Sequence, residues 1–575
     1  MIAPPSWFVG MSDNIPNLFV YGKDLIGISV TSSISNDIQI VANGERYIIL
    51  NISLSQDIDE GVYNLKFKKG DVVIIKEYAL TKKSKRRQRS LTPAGTIYLI
   101  MPDRFARGKD TTGESLHVNR SKANYWHGGN INGVREHLDY IQDLGVTTVW
   151  LTPIFKNNSH LDKGKYASYH GYAITDFYDV DPHFGTITDY RQFVKAAHDR
   201  NLKVVMDVVF NHCGSEHPWN HGCSPHSWIN QNNEKTNYEC TTVFDSYVST
   251  YDRKRTVKGY FADIMPDLNL GNGTMLKYLT QMTFWWIETA DIDAIRMDTF
   301  LYSDNRQMKK WLKKLKVEYP HFPVIAETWI GNPAYTAKVQ KEDLSATGKE
   351  NPLIVMDFAF QECLLECFDK EDLPPLYDHF VYVFLYSSPL QTLIFLDNHD
   401  MTRWMRKHSN LEDEKLAMAI LLTMPRIPQL FYGTEMLFSG EGDGKGDGKI
   451  RQDFYIDGDR NLFLPSKRSE VENEFLEYTK KLLHWRMRST VVPKGSMKHY
   501  LSQNGVYVYF RKSKDSTIMV LVNPTKKSQP IDLSRYAEDL REYTVGTDIL
   551  TGKDFELGVA ERNDLELDKK EVLLL

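Results

Sequence analysis

The sequence predicts an α/β protein: a (β/α)8 TIM barrel with an inserted excursion after its third strand, flanked by N-terminal and C-terminal β-sandwiches. Three observations predict it. Between about 95 and 490, eight short apolar runs alternate with stretches of helical periodicity, the pattern of a parallel barrel with outer helices. Residues 1–85 and 491–575 instead show two-residue alternation broken by turn dipeptides. The interval from about 211 to 265 is long, polar and rich in Asn and His, too long for a simple strand-to-helix connection.

The elements follow in order. Tyr63, Leu65 and Phe67 alternate on one face, and Lys69-Gly70-Asp71 turns the chain into Val72–Ile75. Asn43-Gly44 between apolar runs is a hairpin signal, because both residues tolerate positive φ. Residues 1–85 therefore read as an immunoglobulin-like sandwich. Lys82 to Arg89 carries six basic residues in eight positions. Like charges repel, so a solvated, extended linker (86–94) is expected, and a polyanion patch would rest on this run alone. Ile97–Ile100, ending at Pro102-Asp103, opens the barrel. Val134, Leu138 and Ile141 share a helical face that Gly145 terminates from the C′ position. The remaining strands read as Val146–Leu151, Leu202–Met206, Ile292–Met297, Val324–Ala326, Leu353–Met356, Leu393–Leu396 and Pro428–Tyr432. Beyond 490, Asn504-Gly505 precedes the run Val506–Phe510, and Thr517–Val522 is a further strand.

Composition excludes several classes. At 42% apolar and 25% charged residues the chain is neither disordered nor fibrous. Seventy Lys and Arg against seventy-five Asp and Glu leave a net charge of −5, so no nucleic-acid partner is expected. The longest uncharged stretch, Phe380 to Leu396, holds Ser387, Ser388, Pro389, Gln391 and Thr392, and no membrane span is expected. Met1-Ile2-Ala3-Pro4-Pro5 contains no apolar signal core and suits a mature, trimmed chain. Five cysteines cannot all pair. Cys213, Cys223 and Cys240 share a loop-rich stretch, which leaves one disulfide among them open. Cys363 and Cys367, at same-face helical spacing, read as two buried thiols.

Chemistry belongs at the C-terminal ends of barrel strands. The third strand ends Asp207 to His212, the fourth Arg296-Met297-Asp298, the fifth Glu327-Thr328-Trp329, and the seventh Asp397-Asn398-His399-Asp400. Asp298, Glu327 and Asp400 thus converge on one mouth. Such convergence raises pKa values by mutual repulsion, and glycoside hydrolysis is a reaction that uses it, with one carboxylate as nucleophile and one carboxylic acid as proton donor. Arg296, two residues before Asp298, shares its barrel face and is expected to keep it ionised. Glu327, beside Trp329 in an apolar run, is expected to be raised, as suits an acid. His212 and His399 are donors for sugar hydroxyls.

These segments resemble the α-amylase superfamily, glycoside hydrolase family 13. The match rests on Asp207–His212, Ala294–Asp298 with its Arg-x-Asp core, Ala326–Trp329 and Phe395–Asp400, with Tyr169–Tyr172, Asp181–Thr186 and Met265–Asn269 as further segments. It covers about 92 to 490. Pro4-Pro5-Ser6-Trp7 and the flanking β-domains are similar to the neopullulanase and cyclomaltodextrinase branch, which includes periplasmic starch-processing enzymes of gut Bacteroidetes. The resemblance implies an α-glucan substrate and retaining cleavage of α-1,4-glucosidic bonds in maltooligosaccharides, cyclodextrins, pullulan or starch. It assigns Asp298 as nucleophile, Glu327 as acid/base and Asp400 as transition-state stabiliser. Arg296, His399, His212, His170 and Tyr172 would bind substrate, and the compartment would be periplasmic or extracellular. The carboxyls of Asp298 and Glu327 are then expected roughly 5–5.5 Å apart.

Three departures stand out. Leu301 and Tyr302 occupy positions where many relatives carry Lys-His. The loop after the first strand reads Ala106-Arg107-Gly108-Lys109-Asp110, and Asn130 replaces a frequent Asp, so the usual calcium site there is expected to be lost; no cofactor is expected, and Ca²⁺ at another place is left open. Arg426 stands where relatives often have Gly. Asp443 to Gly448 resembles half an EF-hand, but Lys445 and Phe454 fill ligand positions, so a mobile glycine loop near the mouth is expected. A transglycosylase shares every catalytic residue. A catalytically silent binding member is the rival of another class, although such members usually lack part of the acid set that is complete here. The oligomeric state, monomer or homodimer, is left open.

Overall fold

The computed structural model describes the chain except for residues 56, 86–88, 110–117, 159–165, 232–233, 348–352, 409, 443–446, 457, 459 and 559–563, and the side chains of 342–347, 408 and 564. Asp110, part of the basic run and most of the Asp443–Gly448 loop therefore lie outside the described residues.

Eight strands close a parallel barrel: β1 Ile97–Ile100, β2 Thr148–Leu151, β3 Lys203–Val209, β4 Ala294–Asp298, β5 Val324–Ala326, β6 Ile354–Met356, β7 Thr392–Phe395 and β8 Ile427–Phe431. Each pairs with its neighbours in chain order, and β8 returns to β1. Every predicted strand is present, with bounds shifted by a residue or two at most ends. The second begins at Thr148, and β3 runs on to Val209. Burial on both faces explains why these strands read as unbroken apolar runs.

Local signals act as their chemistry requires. Gly145 ends the helix Leu138–Leu144 at φ 94°, in the left-handed region. Thr186 and Asp189 form a reciprocal capping box on Ile187–Asp199. Asn504 and Gly505 take φ 53° and 81°. Asn43 and Gly44 do not take positive φ. The hairpin is there, but a longer connection turns it, closed by the Gly44 N–H donating to the Tyr47 carbonyl at 2.9 Å.

The N-terminal domain is two facing four-stranded sheets. It docks on helix α1 (Gly273–Ala290), where Gln281 exchanges hydrogen bonds of 2.9 and 3.0 Å with the Asn17 backbone and the Trp285 indole donates to Ser6 Oγ. The excursion joins this interface. Trp219 donates to the Tyr21 hydroxyl at 2.8 Å, and Trp228 stacks on Phe19. It contains three short 3-10 turns and the helix Thr250–Lys258, and α1 carries the chain back to β4. The C-terminal domain differs from a simple sandwich: one four-stranded sheet and two two-stranded ribbons enclose a separate core of Phe510, Leu521, Leu533 and Leu573.

Two expectations are corrected, those for the linker and Cys363, and two open points are answered. The linker is not wholly solvated, because Lys83 pairs with Glu318 and Arg89 with Asp293 at 2.9 Å, neutralising part of its charge against the barrel. All five cysteines are free, so Cys213, Cys223 and Cys240 form no disulfide. Cys363 is half-buried, not buried like Cys367. Arg426 is fully buried and pairs with Asp357, which also caps helix α2 (Phe358–Lys370) through the Phe360 N–H. No described helix is long and apolar enough to cross a membrane.

Candidate active site

The ends of β3, β4, β5 and β7 deliver their polar residues to one mouth. Arg296 is the hub. It is fully buried, and its Nη1 donates to Asp298 Oδ1 at 2.7 Å and to Asp207 Oδ1 at 3.1 Å, while Nη2 donates to Glu327. One planar guanidinium thus orients three carboxylates from three strands, a task its fixed fork of donors suits. Thr299, just past β4 in the left-handed region at φ 47°, binds both acids: its N–H donates to Glu327 Oε2 at 2.7 Å and its hydroxyl to Asp298 Oδ2 at 2.9 Å.

Asp207 accepts further bonds from the Trp150 indole at 3.0 Å and the Tyr172 hydroxyl at 2.9 Å. That hydroxyl also lies 2.6 Å from His399 Nε2, and the Tyr172 ring is stacked between His170 and His399. Asp400 is held by Arg451 Nη2 at 2.9 Å, and Arg451 also donates to Asp447 and to the His399 carbonyl.

A cleft of about 540 Å³ opens above this network, lined by Asp298, Glu327, Asp400, His170, Tyr172 and His212 on its polar side. Tyr238, Phe261, Met265, Leu301, Tyr302 and Trp329 form an apolar and aromatic wall opposite. Arg296 and His399, the other two predicted site residues, lie beneath the cleft and act on it through the groups they hold. His212 Nε2 is buried and meets no hydrogen-bond partner among the described residues.

Electrostatics separate the acids. Burial pushes Glu327 upward, Arg296 opposes that, and Asp298 and Asp400 add to it. The burial expected of Glu327 is present, and Trp329, 42% exposed, lines the same cleft while stacking on Phe358 at 4.9 Å. His399 and His170 are driven well down, first by burial and then by Arg451, and are neutral.

Residues 99–481 match the family model for the alpha amylase catalytic domain. The chain belongs to the alpha-amylase family. Residues 1–84 match the cyclomaltodextrinase N-terminal model and 497–575 the cyclo-malto-dextrinase C-terminal model. Among relatives, a cyclomaltodextrinase of Thermoanaerobacter pseudethanolicus is 24% identical over 76% of this chain and 71% of its own. The intracellular maltogenic amylase of Bacillus subtilis is 28% identical over 74% and 67%. Among solved structures, an Anoxybacillus alpha-amylase superposes with a TM-score of 0.71 at 28% identity, covering 84% of this chain and 97% of that one. A Geobacillus thermoleovorans alpha-amylase complexed with acarbose does so at 0.69 and 30%, covering 85% and 98%. A glycoside hydrolase acting within this glucan hydrolase and transferase family is therefore what the fold serves.

Several site residues escaped sequence reasoning. Asp207 stood inside a quoted segment, yet nothing in its spacing marked it as the second anchor of Arg296. Arg451 follows the glycine loop after β8 with no periodic signal. Tyr238 and Phe261 come from the excursion, whose folding over the mouth no local pattern announces. As for a cation in the first loop, Asn130 Oδ1 accepts from the Gly108 N–H at 3.0 Å and the Gly133 N–H at 2.8 Å, which occupies the oxygen a ligand set would use. Among the described residues no group of three or more His, Cys, Asp or Glu side chains is arranged to hold a metal.

Proposed function

We propose that this enzyme cleaves α-1,4-glucosidic bonds in maltooligosaccharides, cyclodextrins, pullulan or starch with retention of configuration. One observation carries the reading: Asp298 and Glu327 are held side by side by neighbouring nitrogens of one buried guanidinium, and both face one cleft. Closely set carboxyls suit a covalent nucleophile and an acid rather than a pair that must admit a water between them. Asp298, kept as an acceptor by Arg296 and Thr299, attacks the anomeric carbon. Glu327 gives its proton to the departing glycosidic oxygen, leaving a glucosyl ester on Asp298. Glu327, now a carboxylate, takes a proton from water, whose oxygen displaces the ester and frees Asp298. Asp400, fixed by Arg451, and His212 Nε2 grip sugar hydroxyls. His170 and Tyr172 line the cleft on the non-reducing side of the scissile bond.

The test is proton NMR of the first product of maltooligosaccharide cleavage, with Asp298→Asn and Glu327→Gln as controls. An α-anomer formed first, and loss of turnover by a factor of about 10³ or more in both variants, is expected. A β-anomer formed first defeats the assignment.

Transfer to a sugar is favoured as a second outcome by the wall of Tyr238, Phe261, Leu301, Tyr302 and Trp329 flanking Glu327. Apolar and aromatic surface there receives a pyranose face better than water. Product lengths at high maltotriose concentration, compared between the native chain and Tyr302→Ala, test it. Longer products from the native chain that diminish in the variant are expected.

A further inference from the structure

A larger cavity lies away from the catalytic mouth and shares no residue with it. About 910 Å³ in volume, it runs between the outer face of helix α3 (Glu470–Arg488) and the C-terminal domain. The helix contributes Lys481, Trp485 and Arg488, and the domain contributes Thr517, Tyr543 and Thr547. The first three stand four and three residues apart, on one helical face.

Their bonding capacity is largely unused. Trp485 is half-buried, and its indole N–H meets no acceptor among the described residues. Arg488 forms no ion pair among the described residues, and Lys481 reaches only the Leu550 carbonyl, at 3.4 Å. Tyr543 is 37% exposed and donates to the Thr517 hydroxyl at 2.8 Å, which leaves its ring face open. Ile549, Leu550 and Leu557 form the floor. An aromatic and aliphatic floor rimmed by hydroxyl, amine and guanidinium donors matches a pyranose, whose C–H face is apolar and whose edge is all hydroxyl. Glu477 on the rim is paired with Lys480 at 3.4 Å, which leaves Lys481 and Arg488 as the rim donors that can reach an occupant.

We propose that this cleft is a second α-glucan site, with Trp485 as its stacking platform and Lys481, Arg488 and Tyr543 as its polar rim. It holds one segment of a polymer while another is cut at the barrel mouth. The proposal rests on the glucan reading above.

Calorimetric titration of Asp298→Asn with maltoheptaose is expected to show two sites per chain. Adding Trp485→Ala is expected to remove one and leave the other unchanged. In otherwise native protein, Trp485→Ala is expected to weaken retention on insoluble starch about tenfold and to leave kcat/KM on maltotriose unaltered. Lys481→Ala with Arg488→Ala, which touches only the rim, provides the same readout should Trp485→Ala fold poorly. A single site in Asp298→Asn, or unchanged starch retention in both variants while the native chain still cleaves starch, overturns the second site alone. A native chain that neither cleaves nor binds any α-glucan overturns the underlying reading instead.

Discussion

Replacing Arg426 with Met tests why a guanidinium stands before β8. Arg426 pairs with Asp357, His379 Nε2 lies 3.2 Å from the same oxygen, and the guanidinium sits 5.2 Å above both the Phe380 and Tyr386 rings. Burial alone would raise the Asp357 carboxyl, but His379 and Arg426 outweigh it and hold the group down at about 2. Against an ordinary aspartate near 3.9, that depression corresponds to about 2.6 kcal/mol of folding free energy. Because the folded value lies below the unfolded one, this stabilisation is complete above about pH 4 and is lost as pH falls through about 2. Arg426→Met leaves a buried carboxylate with His379 alone and is expected to cost about 3–5 kcal/mol at neutral pH. Asp357→Asn with Arg426→Met removes both charges and is expected to recover most of that loss. The assay is urea unfolding of the four members of the mutant cycle, compared by midpoint where the slope is unchanged. A single-variant loss below about 1 kcal/mol, or strictly additive losses, refutes the claim that Arg426 and Asp357 stabilise the fold as a coupled buried pair.

Three further outcomes are expected. If Glu327 is the proton donor, burial and its carboxylate neighbours place the alkaline limb of kcat/KM well above the usual carboxylate range, and Asp400→Asn lowers it; a limb near pH 4 to 5 refutes the assignment. Arg451→Met, which releases Asp400, Asp447 and the His399 carbonyl together, is expected to lower kcat/KM by roughly 10- to 100-fold with unchanged circular dichroism. A chelator is expected to leave activity and thermal midpoint unchanged, since Asn130 Oδ1 is engaged by two backbone amides; a fall of more than about 4 °C that calcium reverses refutes this.

The barrel was legible because each strand is an unbroken apolar run ending in polar residues, so strand and site were marked by the same boundary. Asp298, Glu327 and Asp400 were readable for that reason. Arg296 was legible as the partner of Asp298 because two residues along a strand share a face. Its bonds to Asp207 and Glu327 depend on how neighbouring strands are staggered, which no single strand records. Arg451, Tyr238 and Phe261 reach the cleft from irregular segments, where position is set by packing and not by period. The pairing of Lys83 and Arg89 with the barrel was hidden for a related reason: a charge run looks solvated until the acids opposite it, Glu318 and Asp293, are known to be near.

The charge count of the site argues for the division of labour among its acids. Asp207, Asp298, Glu327, Asp400 and Asp447 gather around two guanidinium groups, Arg296 and Arg451, while burial drives His170 and His399 toward the uncharged form. The carboxylates outnumber the cations they bond, which favours a proton on one of the acids. Burial pushes both Asp207 and Glu327 upward. Asp207, however, accepts from Arg296, Trp150 and Tyr172, all donors, and has no acceptor to receive a proton of its own. A proton there would cost a charge-assisted hydrogen bond. Glu327 opens onto the cleft, where a protonated oxygen can meet a glycosidic oxygen. A glucan carries no charge until its anomeric carbon becomes electron-poor. In the proposed mechanism the carboxyl groups of Asp298 and Asp400 face that carbon, and an attraction stronger for the transition state than for the bound sugar is what catalysis requires.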